Sequence, residues 1–366
     1  MRLFIPVFFI IYSLVHYYAY RKLCQAFEPV RVQRLFVLTL FALTTLSPAI
    51  WRFLDRNGET ELSRPLAFFS LFWMGFIIYF FLIGILIDLY RKFHSPGPRE
   101  AFFLTLFLTL LVSAYSHAET YFLQVERYVI ETPKLPKGVE IKIMNASDLH
   151  LGPVMREDKI EMVRKVYERE RPDILVATGD TVDGNMRDSE ELAEMLSSIN
   201  PPLGKFAVVG NHEYYAGLEQ SLSFLERAGF KVLRGEIIEV KGLLNLAGVD
   251  DPDGEKLGYR VFTDEVEVLK GADTSRYTIL LKHRPEVKRE AIPHLDLVIA
   301  GHTHGGVLFF VGYTVLRLIY ETDRGIKELA PGKFIVVSKG VGTGGPPMRL
   351  LSPPDVVIVT LRGLSQ

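Results

Sequence analysis

Asp148 and His150 stand one residue apart at the end of an apolar stretch, VEIKIMNA, residues 139–146. On a β-strand, residues i and i+2 face the same side, so a carboxylate and an imidazole aim at one point. Buried together they make a salt bridge; at the open end of a strand they grip a metal ion. Four more stretches offer the same kinds of donor. GDTVDG (179–184) carries Asp180 and Asp183, and GNHE (210–213) carries Asn211, His212 and Glu213. LLKHRPE (280–286) carries His283, and GHTHGG (301–306) carries His302 and His304. The chain has nine histidines. Three of them, His16, His94 and His117, lie in its first third, and of the six beyond, only His294 falls outside these stretches.

Singly, each motif has an ordinary explanation: a salt bridge, a helix cap, a tight loop, a structural histidine. Together they change the balance. Imidazole nitrogens mixed with carboxylate oxygens suit manganese, iron, zinc or nickel. The elements that must position these donors are legible around them. DILVATGD (173–180), KFAVVGN (205–211), YTILLKH (277–283), DLVIAGH (296–302) and KFIVVSKG (333–340) are short, apolar and β-branched, and end in polar residues or glycine. They read as buried strands, and ligands bind outside the carboxyl ends of such strands in α/β sheets. Between them, Ile160, Val163 and Tyr167, then Leu192, Met195, Leu196 and Ile199, then Leu218, Leu222 and Leu225 recur at helical spacing. Pro172, Pro201 and Gly229 end those helices. EIIEVKGLLNLAGV (236–249) and DVVIVTLRG (355–363) suggest antiparallel additions.

The ordered set Asp-x-His, Gly-Asp-x-x-Asp-Gly, Gly-Asn-His-Glu, a later His, then Gly-His-Thr-His-Gly resembles the signature of the calcineurin-like metallophosphoesterase superfamily. SDLHLG, GNHEYY, LLKHRPE, GHTHGG and the late VSKGVGTGGPPMRL look most like its bacterial membrane-associated phosphodiesterase branch, over residues 139–362. The resemblance implies a two-sheet sandwich flanked by helices, with two divalent metal ions at one rim, manganese foremost and iron, zinc or nickel as alternatives. It implies one ion held by Asp148, His150, Asp180 and His304, and a second held by Asp180, Asn211, His283 and His302. His212 would face the substrate as the catalytic residue. Asp183 and Glu213 would support the ligands from behind. Arg349 is either a contact to a substrate phosphate or a solvated loop charge. The chemistry fits: two cations about 3.5–4 Å apart clamp a phosphate, and a bridging hydroxide attacks phosphorus in line. Past GHTHGG the chain runs into an apolar stretch, Val307–Ile319, with Phe309 and Phe310. It is read as an ordinary strand pair or as an apolar lip that meets acyl chains.

The front of the chain is a different kind of sequence. The 366 residues are 48% hydrophobic with a mean hydropathy of +0.18 and a net charge of −1. That balance offers no global field for nucleic acid. The single cysteine, Cys24, excludes an internal disulfide. The apolar excess sits in four uncharged runs, at 3–20, 35–51, 65–87 and 101–118. Each approaches the roughly 20 residues that span a bilayer core. The loops after the first and third runs carry four and three basic residues, and the middle loop three basic residues balanced by three acidic ones. The positive-inside rule puts loops one and three in the cytoplasm and everything after the fourth run outside.

The expectation is a multi-pass protein of the cell membrane. A four-helix transmembrane bundle occupies 1–120, and an α/β metallophosphoesterase domain lies at 121–366 on the extracytoplasmic side. Its expected activity is metal-dependent hydrolysis of a phosphodiester or pyrophosphate, with a membrane lipid or lipid-linked phosphate as substrate and no nucleic-acid partner. Two alternatives stay open: the same chemistry on a soluble phosphodiester, or a non-enzymatic sensor or transporter with a phosphate-binding domain. The complete donor set and His212 weigh against the last.

Overall fold

The computed structural model describes residues 4–94, 96–306 and 319–364. The chain forms two compact units. One comprises Met1–Glu119 with Gly345–Leu350, and the other Thr120–Gly344 with Leu351–Gln366.

The first unit is helical: α1 (Phe4–Phe27), α2 (Arg31–Arg56), α3 (Thr60–His94) and α4 (Pro98–Glu119). Proline suits the first turn of α4, where its missing N–H costs nothing, and the Glu100 carboxylate accepts from Gly97 N–H at 2.9 Å. Each expected run falls inside one of these helices. Three of them, α2, α3 and α4, are long and apolar enough to cross a membrane. Their packing inverts the soluble pattern. Phe36, Phe53, Phe107 and Leu111 face outward, whereas α4 turns Thr105, Thr109, Ser113 and Ser116 inward. Small and hydroxyl-bearing faces let helices approach closely where lipid supplies no hydrophobic drive. Polar contacts link the helices: Ser47 to Ser70 at 2.8 Å, Lys22 to Asp88 at 2.7 Å, and Trp73 Nε1–H to His16 Nε2 at 2.9 Å. The segment Gly345–Leu350 belongs to this unit. A Cβ at Gly75 would come within 2.5 Å of Met348 Sδ, and Arg349 N–H donates to the Ser116 carbonyl at 2.8 Å.

Among its described residues the second unit contains twelve strands: β1 (Gln124–Thr132), β2 (Glu140–Asn145), β3 (Ile174–Thr178), β4 (Lys205–Val208), β5 (Lys231–Val232), β6 (Glu236–Val240), β7 (Leu244–Gly248), β8 (Tyr277–Leu281), β9 (Leu297–Ala300), β10 (Gly325–Ala330), β11 (Lys333–Val337) and β12 (Asp355–Gly363). They make two six-stranded mixed sheets, β1-β12-β2-β3-β4-β5 and β10-β11-β9-β8-β7-β6. Alternate side chains of the central strands explain the layering. Ile174 and Val176 of β3 join Ile279, Leu281, Leu297 and Ile299 of the other sheet in one apolar core. Leu175 and Ala177 point the other way, toward Ile160 and Val163 of α5 (Glu157–Glu170), Leu192 and Leu196 of α6 (Glu190–Ser197), and Leu225. Strands buried on both faces need near-continuous apolar sequence, which is what these strands carry. Burying each such side chain contributes roughly 1.5–3 kcal/mol.

Two strands differ from the sequence expectation. Residues 124–132, to which the sequence reading assigns no element, form the edge strand β1, parallel to β12. Only Ile130 and Thr132 of β1 are buried, so the run shows no alternation to read. β12 is antiparallel to β2 as expected but parallel to β1 on its other side.

Candidate metal centre

Every candidate ligand follows the carboxyl end of a strand. Asp148 and His150 follow β2, Asp180 follows β3 and Asn211 follows β4, all in the first sheet. His283 follows β8, and His302 and His304 follow β9, in the second. The donors converge. Asp148, His150 and His304 form one group whose ligand atoms lie within 4.8 Å of one another, and Asp180, His283 and His302 form another. A third group, His150, Asp180 and His212, overlaps both. Asn211 joins the second through Oδ1, 3.1 Å from His283 Nε2.

The backbone is bent to achieve this. Asp148, His150, Asp180, His302 and His304 have φ of +53°, +49°, +51°, +73° and +50°. Non-glycine residues rarely adopt this left-handed region, at about 1–3 kcal/mol each, and such residues cluster at functional sites. Glycines make room beside them. A Cβ at Gly210 would meet Asp180 Oδ1 at 2.3 Å, and one at Gly301 would meet Asp148 Oδ2 at 2.2 Å. Glu213 holds two of the loops together. Its buried carboxylate accepts from the backbone N–H of Asp180 (2.9 Å), Thr181 (2.6 Å), Val182 (3.1 Å) and Gly210 (2.8 Å). Burial, with the nearby Asp180 charge, raises its pKa to about 7 against those amides.

The donor set fits cations. His283 Nδ1–H donates to the Thr178 carbonyl at 2.9 Å, which turns Nε2 inward. There Nε2 meets Asp180 Oδ2 at 3.1 Å and His302 Nδ1 at 3.0 Å, besides Asn211. His150 Nε2 and His304 Nε2 stand 3.1 Å apart. Ring nitrogens this close need a proton or a cation between them. Burial works to lower the His283 pKa, but Asp180, hydrogen-bonded to it, and Asp148 push it up to about 10. For Asp180 burial works upward, yet His283 and His212 hold it well below the usual carboxylate range. Burial lowers His150 to about 4, with His212 adding to it, and pushes His302 well below its ordinary value. Those two imidazoles stay neutral, as metal ligands must be. Burial raises Asp148 to about 6.

His212 sits within this cluster. Its N–H donates to Asp180 Oδ1 at 2.8 Å, and its ring lies 4.6 Å from that of His150. Asp183 Oδ1 lies 3.1 Å from His212 Nδ1, an ion-pair distance. Asp183 Oδ2 also stands 3.8 Å from His150 Nδ1. Arg349 lies in the segment Gly345–Leu350. It is wholly buried and belongs to the helical unit, which excludes a solvated loop charge. The apolar run 307–318, with Phe309 and Phe310, lies outside the described residues. Two contributors escape sequence reasoning. Ser147 Oγ donates to Asp148 Oδ2, and its only signal is adjacency to that ligand. The Thr178 carbonyl, which sets the His283 tautomer, has no sequence signal.

Comparison with known proteins identifies the family. The family profile for calcineurin-like phosphoesterases matches residues 141–306. A metallophosphoesterase of Aquifex aeolicus (strain VF5) is 75% identical over 258 residues, 70% of this chain and 99% of that protein. One from Helicobacter pylori (strain ATCC 700392 / 26695) is 28% identical over 97% of both chains. A Danio rerio protein described as a transmembrane protein with metallophosphoesterase domain is 29% identical over 93% of this chain and 84% of its own. Among solved structures, a dimetal phosphatase from Danio rerio aligns with a TM-score of 0.37 and 13% identity, over 55% of this chain and 88% of that one. That likeness is too distant to carry an argument.

Proposed function

The chain belongs to the calcineurin-like metallophosphoesterases, a family of metal-dependent phosphoester hydrolases, and from that premise we propose a membrane-anchored enzyme that hydrolyses a lipid-linked phosphodiester. The observation that carries the proposal is the pair of donor groups linked by a third, which shares His150 with one and Asp180 with the other. Asp148, His150, Asp180 and His304 would hold one divalent ion, and Asp180, Asn211, His283 and His302 the other. What such ions supply is positive charge for the phosphoryl oxygens and hydroxide at neutral pH. The chain's own residues do the rest. Asn211 adds a neutral donor, so the site gains no extra negative charge to repel phosphate. His212, with Nδ1 held by Asp183, offers Nε2 to protonate the leaving oxygen. Glu213 keeps the Asp180 and Gly210 loops in register.

The membrane part of the reading rests on α2, α3 and α4, with α1 as a fourth span. The basic residues Arg91, Lys92 and Arg99 flank the turn between α3 and α4 and favour the cytoplasm. The last span then leads outward whether or not α1 crosses, and the metal centre is extracytoplasmic. A lipid-linked substrate suits a site that follows the last span directly. The test is hydrolysis by the purified full-length protein, loaded with manganese, of long-chain and deacylated forms of one phosphodiester. Preference for the long-chain form by orders of magnitude in kcat/KM is expected. Equal efficiency leaves a tethered phosphodiesterase of soluble substrates, and no hydrolysis of either defeats the enzymatic reading.

A further inference from the structure

Beside the metal ligands stands a ledge with no role so far. The Tyr215 ring lies against the His212 imidazole, with centroids 5.3 Å apart at 62°. It is 37% exposed, and its hydroxyl donates to Asp253 Oδ2 at 2.6 Å, which pins the ring. Asp253 is bound in turn by Arg284 Nη2 at 2.9 Å and by Lys256 at 2.6 Å. Arg284, next in sequence to the ligand His283, also grips Asp251 through Nε (2.6 Å) and Nη2 (3.1 Å). A second phenol, Tyr320, stands edge-on to the ligand His302, ring centroids 5.9 Å apart. It belongs to the same cluster: burial raises its pKa while the nearby Arg284 guanidinium works against that rise.

Charge on this ledge is already matched. Arg284 is paired with Asp251 and Asp253, Lys256 with Asp253, and Lys282 with Glu265. A second phosphate or a carboxylate would compete with carboxylates already seated on these cations. What the ledge offers freely is a phenol face, which packs well against an uncharged ring.

We propose that Tyr215 forms the subsite for the leaving group and takes an uncharged ring alcohol. The bond cut is then a phosphodiester to a cyclic alcohol rather than a pyrophosphate bond, whose leaving group would itself be anionic. The inference rests on the hydrolytic reading above, in which His212 gives a proton to the leaving oxygen. Whatever carries that oxygen must lie beside His212, where Tyr215 stands. The step balances: water forms the new P–O bond, the P–O bond to the ring alcohol breaks, and the proton that water loses replaces the one His212 gives up.

The test measures binding apart from turnover. Three uncleavable ligands share one lipid half: a phosphonate ester of a cyclohexane polyol, one of an open-chain polyol with the same number of hydroxyls, and a methylene bisphosphonate. Each is titrated calorimetrically into manganese-loaded full-length protein in detergent. The cyclic ester should bind ~10-fold more tightly than the other two, the scale of one ring stacked on an aromatic face. Tyr215→Leu should shrink that ratio to ~2-fold or less, while Tyr215→Phe, which keeps the ring, should retain most of it. Equal affinities in the unsubstituted protein, tighter binding of the bisphosphonate, or a ratio untouched by Tyr215→Leu would each overturn the subsite. The cleavable diesters are assayed in parallel. A ring preference in binding with no cleavage of any of them supports the subsite and defeats the hydrolytic reading instead.

Discussion

Asp180 belongs to one donor group and lies 3.8 Å from His150 Nε2 of the other, so its charge reaches both. Asp180→Asn should lose metal and activity together, with turnover down roughly 10²–10³-fold, the scale for removing one charge-stabilising group. Elemental analysis beside the assay decides; two ions per chain with normal turnover contradicts the shared-ligand arrangement. His212→Asn should behave differently. Metal content stays near normal and turnover drops ~10²-fold or more, as for loss of a general acid. If metal is lost as well, His212 is a ligand, as its group with His150 and Asp180 permits. Glu213→Gln should act on stability. A glutamine offers one acceptor oxygen where four backbone amides now converge. Metal-free unfolding should show a loss of about 2–3 kcal/mol; a loss below ~0.5 kcal/mol would mean those amides find other partners. The ligands were legible in the sequence because imidazole and carboxylate advertise their chemistry wherever they stand. The left-handed backbone at five of them was not, since aspartate and histidine in sequence say nothing of φ. Nor was the grip of Glu213, whose amides come from two loops about 30 residues apart.

At the scale of elements, Lys205 illustrates what strand ends must solve. It opens β4, and its buried ammonium donates to the Leu196 carbonyl at the end of α6 and to Ala228 O. Burial lowers its pKa to about 8. The folded pKa therefore lies below the unfolded value of about 10.4. Below pH 8 both states carry the charge and folding bears the full cost of burying it. Between about pH 8 and 10.4 the folded state sheds its proton first, and stability rises with pH. A neutral amine still donates to both carbonyls. Lys205→Met should destabilise by about 1–3 kcal/mol at pH 7, and the gap from the unsubstituted protein should widen from pH 8 to 10. Denaturant titrations of both proteins across that range check it; a constant or narrowing gap refutes the assignment. The central strands and the helices over them were readable because burial on both strand faces, or on one helix face, leaves a periodic trace. β1 left none, since seven of its nine residues are not buried and its pairing is with a strand more than 200 residues away.

For the whole molecule, sidedness follows from the turn between α3 and α4. A reporter fused after Tyr121 should be active only when it works outside the cytoplasm, and recharging Arg91, Lys92 and Arg99 to glutamate should reverse that outcome. A cytoplasmic reporter in the unaltered chain would place the metal centre inside. The two-unit division was partly legible from the shift in composition near residue 120. The return of Gly345–Leu350 to the helical unit was not, because PPMR resembles any surface turn, and only packing at Gly75 and Ser116 distinguishes it.

That return also sets a timetable for biogenesis. The four helices leave the ribosome first, yet their unit is finished only when residue 350 has been made. At roughly 5–20 residues per second, synthesis of the 225 residues between Glu119 and Gly345 lasts roughly 10–45 s. Throughout that interval the place beside Gly75 waits for Met348. A nascent chain stalled before residue 345 would carry the helices without the segment that packs at Gly75 and Ser116.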